Sequence, residues 1–81
     1  MNREEIIKVT NEFLLEEFEV SESRLKPENN LQEALDLDSL DYVDLVVIIE
    51  SNFGVKLESK DFAKMVIVQD LYDTIYTKLQ G

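Results

Sequence analysis

Ser39 is the side chain with the clearest setting for chemistry, and nothing beside it in sequence can activate it. It stands in "ALDLDSLDYVDLVVIIE", Ala34 to Glu50, among Asp36, Asp38, Asp41 and Asp44. The chain has no histidine and no cysteine, which removes the commonest general base and metal ligand, thiolate nucleophiles and disulfides. A serine nucleophile needs a base to take its proton, and neither histidine nor lysine lies in this segment. Ser39 is therefore not a self-activated nucleophile, and no catalytic residue is predicted.

The aspartates do not supply a second chemistry. A calcium loop beginning at Asp36 places Asp38 and Asp44 tolerably, but it puts Asp41 where a glycine is needed and Val47 where the bidentate glutamate belongs. The fragment "DLDS" also fails as a phosphatase aspartate motif, because "NNLQEA" rather than a buried strand precedes it. No metal site is predicted.

The elements that must position Ser39 are helical. Two glycines and one proline leave little turn chemistry, and four helices are predicted. The first, Arg3 to Phe18, carries Ile6, Ile7, Val9, Phe13, Leu14 and Phe18 at helical spacing, with Glu4, Lys8, Glu12 and Glu16 opposite. A long connection, Glu19 to Leu37, follows; Val20, Leu25, Leu31 and Leu35 pin it to the core. The second helix starts near Ser39 and ends before Gly54, a C-terminal cap. A short third helix lies in "VKLESKDFAKM" with Ser59 as its N-cap, and the fourth runs from Val68 to Leu79.

The second helix has more apolar surface than folding requires. Tyr42, Leu45, Val46, Ile49 and Phe53 share one stripe fit for the core, whereas Leu40, Val43 and Val47 form another on roughly the opposite side, beside Ser39, Asp44 and Glu50. Either the helix is surrounded or the second strip docks a partner. Charge favours docking. From Pro27 to Val55 there are seven acids, Glu28, Glu33, Asp36, Asp38, Asp41, Asp44 and Glu50, and no lysine or arginine. Asp38 and Asp41 can serve the helix N-terminus, but Asp44 and Glu50 lie beyond that effect.

Composition bounds the partners. A chain of 81 residues with 18 acidic and 8 basic side chains, net charge −10, is one domain, residues 1–81, that buries only about 60% of its unfolded surface. A deep catalytic cleft does not fit. The charge opposes binding to nucleic acid or an anionic membrane and calls for a basic partner. No apolar run approaches the roughly 18 residues of a membrane span, and "MNREEIIKVT" has acids where a signal peptide would stay apolar. A soluble, cytoplasmic monomer is expected.

"LDLDSLDYVDLVVIIESNFGVKL" resembles the prosthetic-group segment of acyl carrier proteins, and the likeness extends over nearly the whole chain. Asp38, Ser39 and Leu40 match the family's DSL motif at the head of an acidic, aliphatic helix, and "VIVQDLYDTI" is similar to its last helix. The resemblance implies an all-α, four-helix acyl-carrier-like bundle with a long first loop and a short third helix. It implies no catalytic activity of its own. It also implies that a phosphopantetheinyl transferase moves 4'-phosphopantetheine from coenzyme A onto Ser39, whose activation is thus supplied in trans. The arm's thiol would carry acyl groups between enzymes of fatty-acid or polyketide-type biosynthesis. Asp38, Leu40, Asp41, Asp44, Val47 and Glu50 would meet basic patches on acyl-transferring and ketosynthase-type enzymes.

Two other readings stay open: a carrier of aminoacyl groups, D-alanyl or peptidyl, and an acidic helical interaction domain that never receives the arm. The chain also departs from the family pattern. Asp36 stands where many relatives have glycine, so the turn before Ser39 is expected to differ in shape. Ile67 replaces a threonine or serine cap, Phe62 replaces a small residue near the expected acyl cavity, and Lys56, Lys60 and Lys64 make the third helix basic.

Overall fold

In the computed structural model, which describes residues 2–80, five α-helices hold the chain together and no strand forms among the described residues. They are α1 (Arg3–Glu17), α2 (Leu31–Leu35), α3 (Ser39–Phe53), α4 (Ser59–Ala63) and α5 (Val68–Gln80). A 3-10 turn, Glu22–Arg24, lies between α1 and α2. The all-α prediction holds, and the four predicted helices correspond to α1, α3, α4 and α5. The difference is α2, a short helix within the long first connection. Asn30 starts it by accepting a hydrogen bond from the Glu33 N–H at 3.0 Å, while Leu31, Ala34 and Leu35 bury its apolar face.

Helix α1 packs on α5 and α3, and α2 packs on α5. The core joins Ile6, Phe13 and Leu14 of α1 to Leu45, Ile49 and Phe53 of α3 and to Val68, Leu71, Tyr72 and Ile75 of α5. Phe13 and Phe53 meet edge-to-face, with ring centroids 6.4 Å apart. The connection is pinned as expected, since Val20, Leu25, Leu31 and Leu35 are all buried. Polar contacts fix how α1 sits on α5. Tyr72 Oη donates to Asn11 Oδ1 at 2.6 Å, Arg3 pairs with Asp73, and the Arg3 guanidinium lies 4.5 Å from the Tyr76 ring centroid. Thr10, not predicted for the core, is fully buried, and its hydroxyl has no partner among the described residues.

α5 starts at Val68 as expected, but the caps of α4 and α5 were not foreseen. Ser59 is the first residue of α4 rather than its N-cap; the preceding Glu58 N–H donates to the Asp61 carboxylate at 2.8 Å. At α5 the apolar Ile67 cannot cap, and Asp70 reaches back instead, accepting from the Val66 and Ile67 N–H groups at 2.8 and 3.0 Å. Those bonds favour the carboxylate and hold the Asp70 pKa below its ordinary value of 3.8. A depressed pKa means the stabilisation is complete above that ordinary value and is lost as pH falls through the folded one. Asp70→Ala is expected to cost about 1 kcal/mol at neutral pH. Its deficit relative to wild type should shrink in acid below the ordinary carboxylate value, as read from melting curves across pH.

Candidate functional site

Helix α3 starts and stops where its sequence dictates. Asp38 is the N-cap, its Oδ1 accepting from the Asp41 N–H at 2.9 Å, while Asp41 reaches back to the Asp38 N–H at 3.4 Å. This reciprocal pair satisfies two helix-end donors. At the other end Gly54, with φ of 72°, caps α3 through its N–H to the Glu50 carbonyl at 2.8 Å. Just upstream, Asp36 closes α2 at φ 48° and ψ 46°, its N–H donating to the Gln32 carbonyl. Aspartate there takes the left-handed conformation that glycine favours, so the substitution keeps a tight turn into α3 instead of removing it.

Ser39 occupies the first residue of α3 and is exposed. Because Asp38 does the capping, the Ser39 hydroxyl is not committed to holding the helix end. The peptide dipoles of α3 converge on this position, which suits a phosphate ester, although Asp38 and Asp41 oppose it. An exposed hydroxyl without a base, at a positive helix end, fits a group delivered by another enzyme.

The two stripes of α3 have separate environments. Leu45, Ile49 and Phe53 are buried, and Tyr42 and Val46 are half-buried against the core. Leu40, Val43 and Val47 are 75%, 61% and 60% exposed, which rules out a fully surrounded helix. Asp44 and Glu50 are exposed on the same helix, and Asp41 is half-buried. Asp44 and Val47 border a concavity of about 280 Å³ with Glu17, Phe18 and Ile48. The ion pairs among the described residues are Arg3 with Asp73, Lys60 with Glu58 and Lys78 with Asp61, so none neutralises an α3 carboxylate.

Beside Ser39, where the resemblance implied a cavity near Phe62, the structure has a groove. It has a volume of about 330 Å³, and its lining includes Gln32 of α2, Ser39, Tyr42, Val43 and Val46 of α3, and Ser59 and Phe62 of α4. Phe62 was the visible signal, a large side chain on a short helix, but its partner Tyr42 lies on a different element. Among the described residues no cluster of three or more carboxylates is arranged to hold a metal ion, and no helix is long and apolar enough to cross a membrane.

Comparison with known proteins explains this arrangement. Residues 11–75 match the family model described as a phosphopantetheine attachment site. The chain is 41% identical over 78 residues to an acyl carrier protein of Thermotoga maritima, covering 96% of each chain. It is 33% identical over 79 residues to an acyl carrier protein of Thermosynechococcus vestitus, covering 98% of each. A crystal structure of an acyl carrier protein from Thermotoga maritima superposes with a TM-score of 0.77 at 31% identity, covering 99% of this chain and 93% of that one. The prosthetic group is 4'-phosphopantetheine. With an uncommitted serine leading an acidic helix and this likeness along almost its whole length, the chain belongs to the acyl carrier protein family.

Proposed function

We propose that Ser39 carries the 4'-phosphopantetheine arm and that the protein, a cytoplasmic monomer, presents acyl groups to enzymes of fatty-acid or polyketide-type biosynthesis. The observation that carries this reading is the exposed Ser39 hydroxyl at the first position of α3, relieved of capping by Asp38. The arm, when attached, supplies the thiol that forms a thioester, a group the cysteine-free chain lacks. The protein's own part is to hold the attachment point outward and to offer partners a recognisable face. It has no catalytic step of its own.

That face is Leu40, Asp44, Val47 and Glu50, flanked by Asp38 and Asp41. Asp44 lies about one helical turn beyond Leu40 and Val47 about two, so an enzyme whose active site receives the arm can contact all three. The matching surface is basic around an apolar spot, on the phosphopantetheinyl transferase as well as on acyl-transferring and ketosynthase-type enzymes. Exposed charges at a rim act mainly through association rate. Asp44→Lys is therefore expected to slow arm attachment by reducing association, and the wild-type rate is expected to fall as salt rises. Transferase kinetics at low and moderate ionic strength check this; full activity of Asp44→Lys would remove the docking role. The acyl group released from the protein isolated from its host tests the cargo: a fatty or polyketide acyl group supports the reading, and D-alanine would replace it.

A further inference from the structure

A second charge pattern lies across the groove from the acidic face of α3. Lys56 precedes α4, Lys60 lies within it and Lys64 is its C-cap, and all three are exposed. Lys60 and Lys64 each follow directly on a groove-lining residue, Ser59 and Ala63, so they sit on the α4 rim opposite Ser39, Val43 and Val46 of α3. Their charge is not neutralised inside the fold. Among the described residues no ion pair joins them to the α3 carboxylates, and the pair that Lys60 makes with Glu58 is exposed, screened by solvent and weak. Lys64 borders a concavity with Asp61, Asp70 and Asp73, but each of these is engaged elsewhere: Asp61 with Lys78 and the Glu58 N–H, Asp70 with the Val66 and Ile67 N–H groups, and Asp73 with Arg3. Ser39 therefore lies between an acidic rim and a basic one.

We propose that Lys60 and Lys64 select among partner enzymes, favouring those that carry a carboxylate beside their basic docking patch and slowing those whose docking surface is basic throughout. The inference rests on Ser39 as the attachment point. An enzyme that draws the arm into its active site must approach over Ser39, and there it meets the α3 and α4 rims together. Charge complementary to both rims speeds encounter and fixes how the carrier is turned on the enzyme, whereas like charge against either rim suppresses the wrong partner. An all-acidic face would attract any basic patch. The two-signed face distinguishes between them.

The test compares wild type with the double variant Lys60→Glu, Lys64→Glu as substrates of two phosphopantetheinyl transferases: the one made by the protein's own cells, and a broad-specificity one chosen for a docking surface without carboxylates. The readout is kcat/KM for arm attachment at low ionic strength, taken as the ratio of the first enzyme to the second. Reversal is expected to lower that ratio by about tenfold, the lower end of the range over which charge steers association, and added salt is expected to remove most of the difference. A ratio that stays the same or rises overturns the selection, as does a fall that salt does not reduce. Equal changes at both enzymes, from contact with coenzyme A or from net charge alone, leave the ratio the same. The double variant Lys60→Gln, Lys64→Gln removes charge without reversing it and is expected to move the ratio the same way by less; it replaces the reversal if a melting curve shows that glutamate beside Asp61 and Asp70 unfolds the protein. If neither enzyme adds an arm to wild type, the carrier reading of Ser39 fails instead, an outcome visible in the intact mass before any rate is measured.

Discussion

Ser39→Ala is expected to abolish attachment of the arm while changing folding stability by no more than about 0.5 kcal/mol. These two halves of the result come from separate features. In the proposed attachment the Ser39 hydroxyl oxygen is the atom that bonds to phosphorus, and alanine has none. For folding, Asp38 and Asp41 satisfy the helix-end donors, and Ser39 is exposed, so the side chain removed leaves no cavity and orphans no cap. Alanine is also the better helix former, which offsets part of any loss. The intact mass after incubation with coenzyme A and a broad-specificity transferase, with a melting curve for each protein, reads both halves. Modification that persists in the variant would place the arm elsewhere. A large drop in melting temperature would mean that Ser39 serves the fold.

The second large effect separates the two faces of α3. Leu45 is fully buried between the helices, and Leu45→Ala is expected to cost about 2–5 kcal/mol through lost burial and the cavity left behind. In a domain of this size each kcal/mol lowers the melting temperature by roughly 4–8 °C. A total stability of about 5–15 kcal/mol would lose a large share of itself. Val47, two residues along but 60% exposed, is expected to behave otherwise. Val47→Ala should stay within about 0.5 kcal/mol of wild type and weaken the transferase complex without altering its salt dependence. Melting curves and transferase kinetics on both variants decide this. A Val47→Ala protein as destabilised as Leu45→Ala would return the exposed strip to the core.

Helix α3 was legible from sequence because every local signal agreed. An aspartate cap, an acidic first turn, an apolar stripe ending at Phe53 and a glycine just past it all point to one element, Ser39–Phe53. Its second apolar strip was legible too, but whether neighbours covered Leu40, Val43 and Val47 depended on packing. Helix α2 escaped for a physical reason. Five residues are too few for periodicity to register, and so short a helix forms only because Leu31, Ala34 and Leu35 are buried in the core. The cap of α5 was not legible because the usual capping position holds the apolar Ile67, whereas Asp70 works from inside the first turn. Of the groove wall only Phe62 was legible; its contact with Tyr42 was not, since the two are far apart in sequence and meet only when α3 and α4 do.

The most direct measurement on the central claim is the mass spectrum of the protein purified from the cells that make it, intact and as peptides spanning Ala34 to Glu50. The account predicts a single phosphopantetheine, free or acylated, located on Ser39. Protein that is wholly unmodified in those cells, or an arm carried on any other residue, would contradict it.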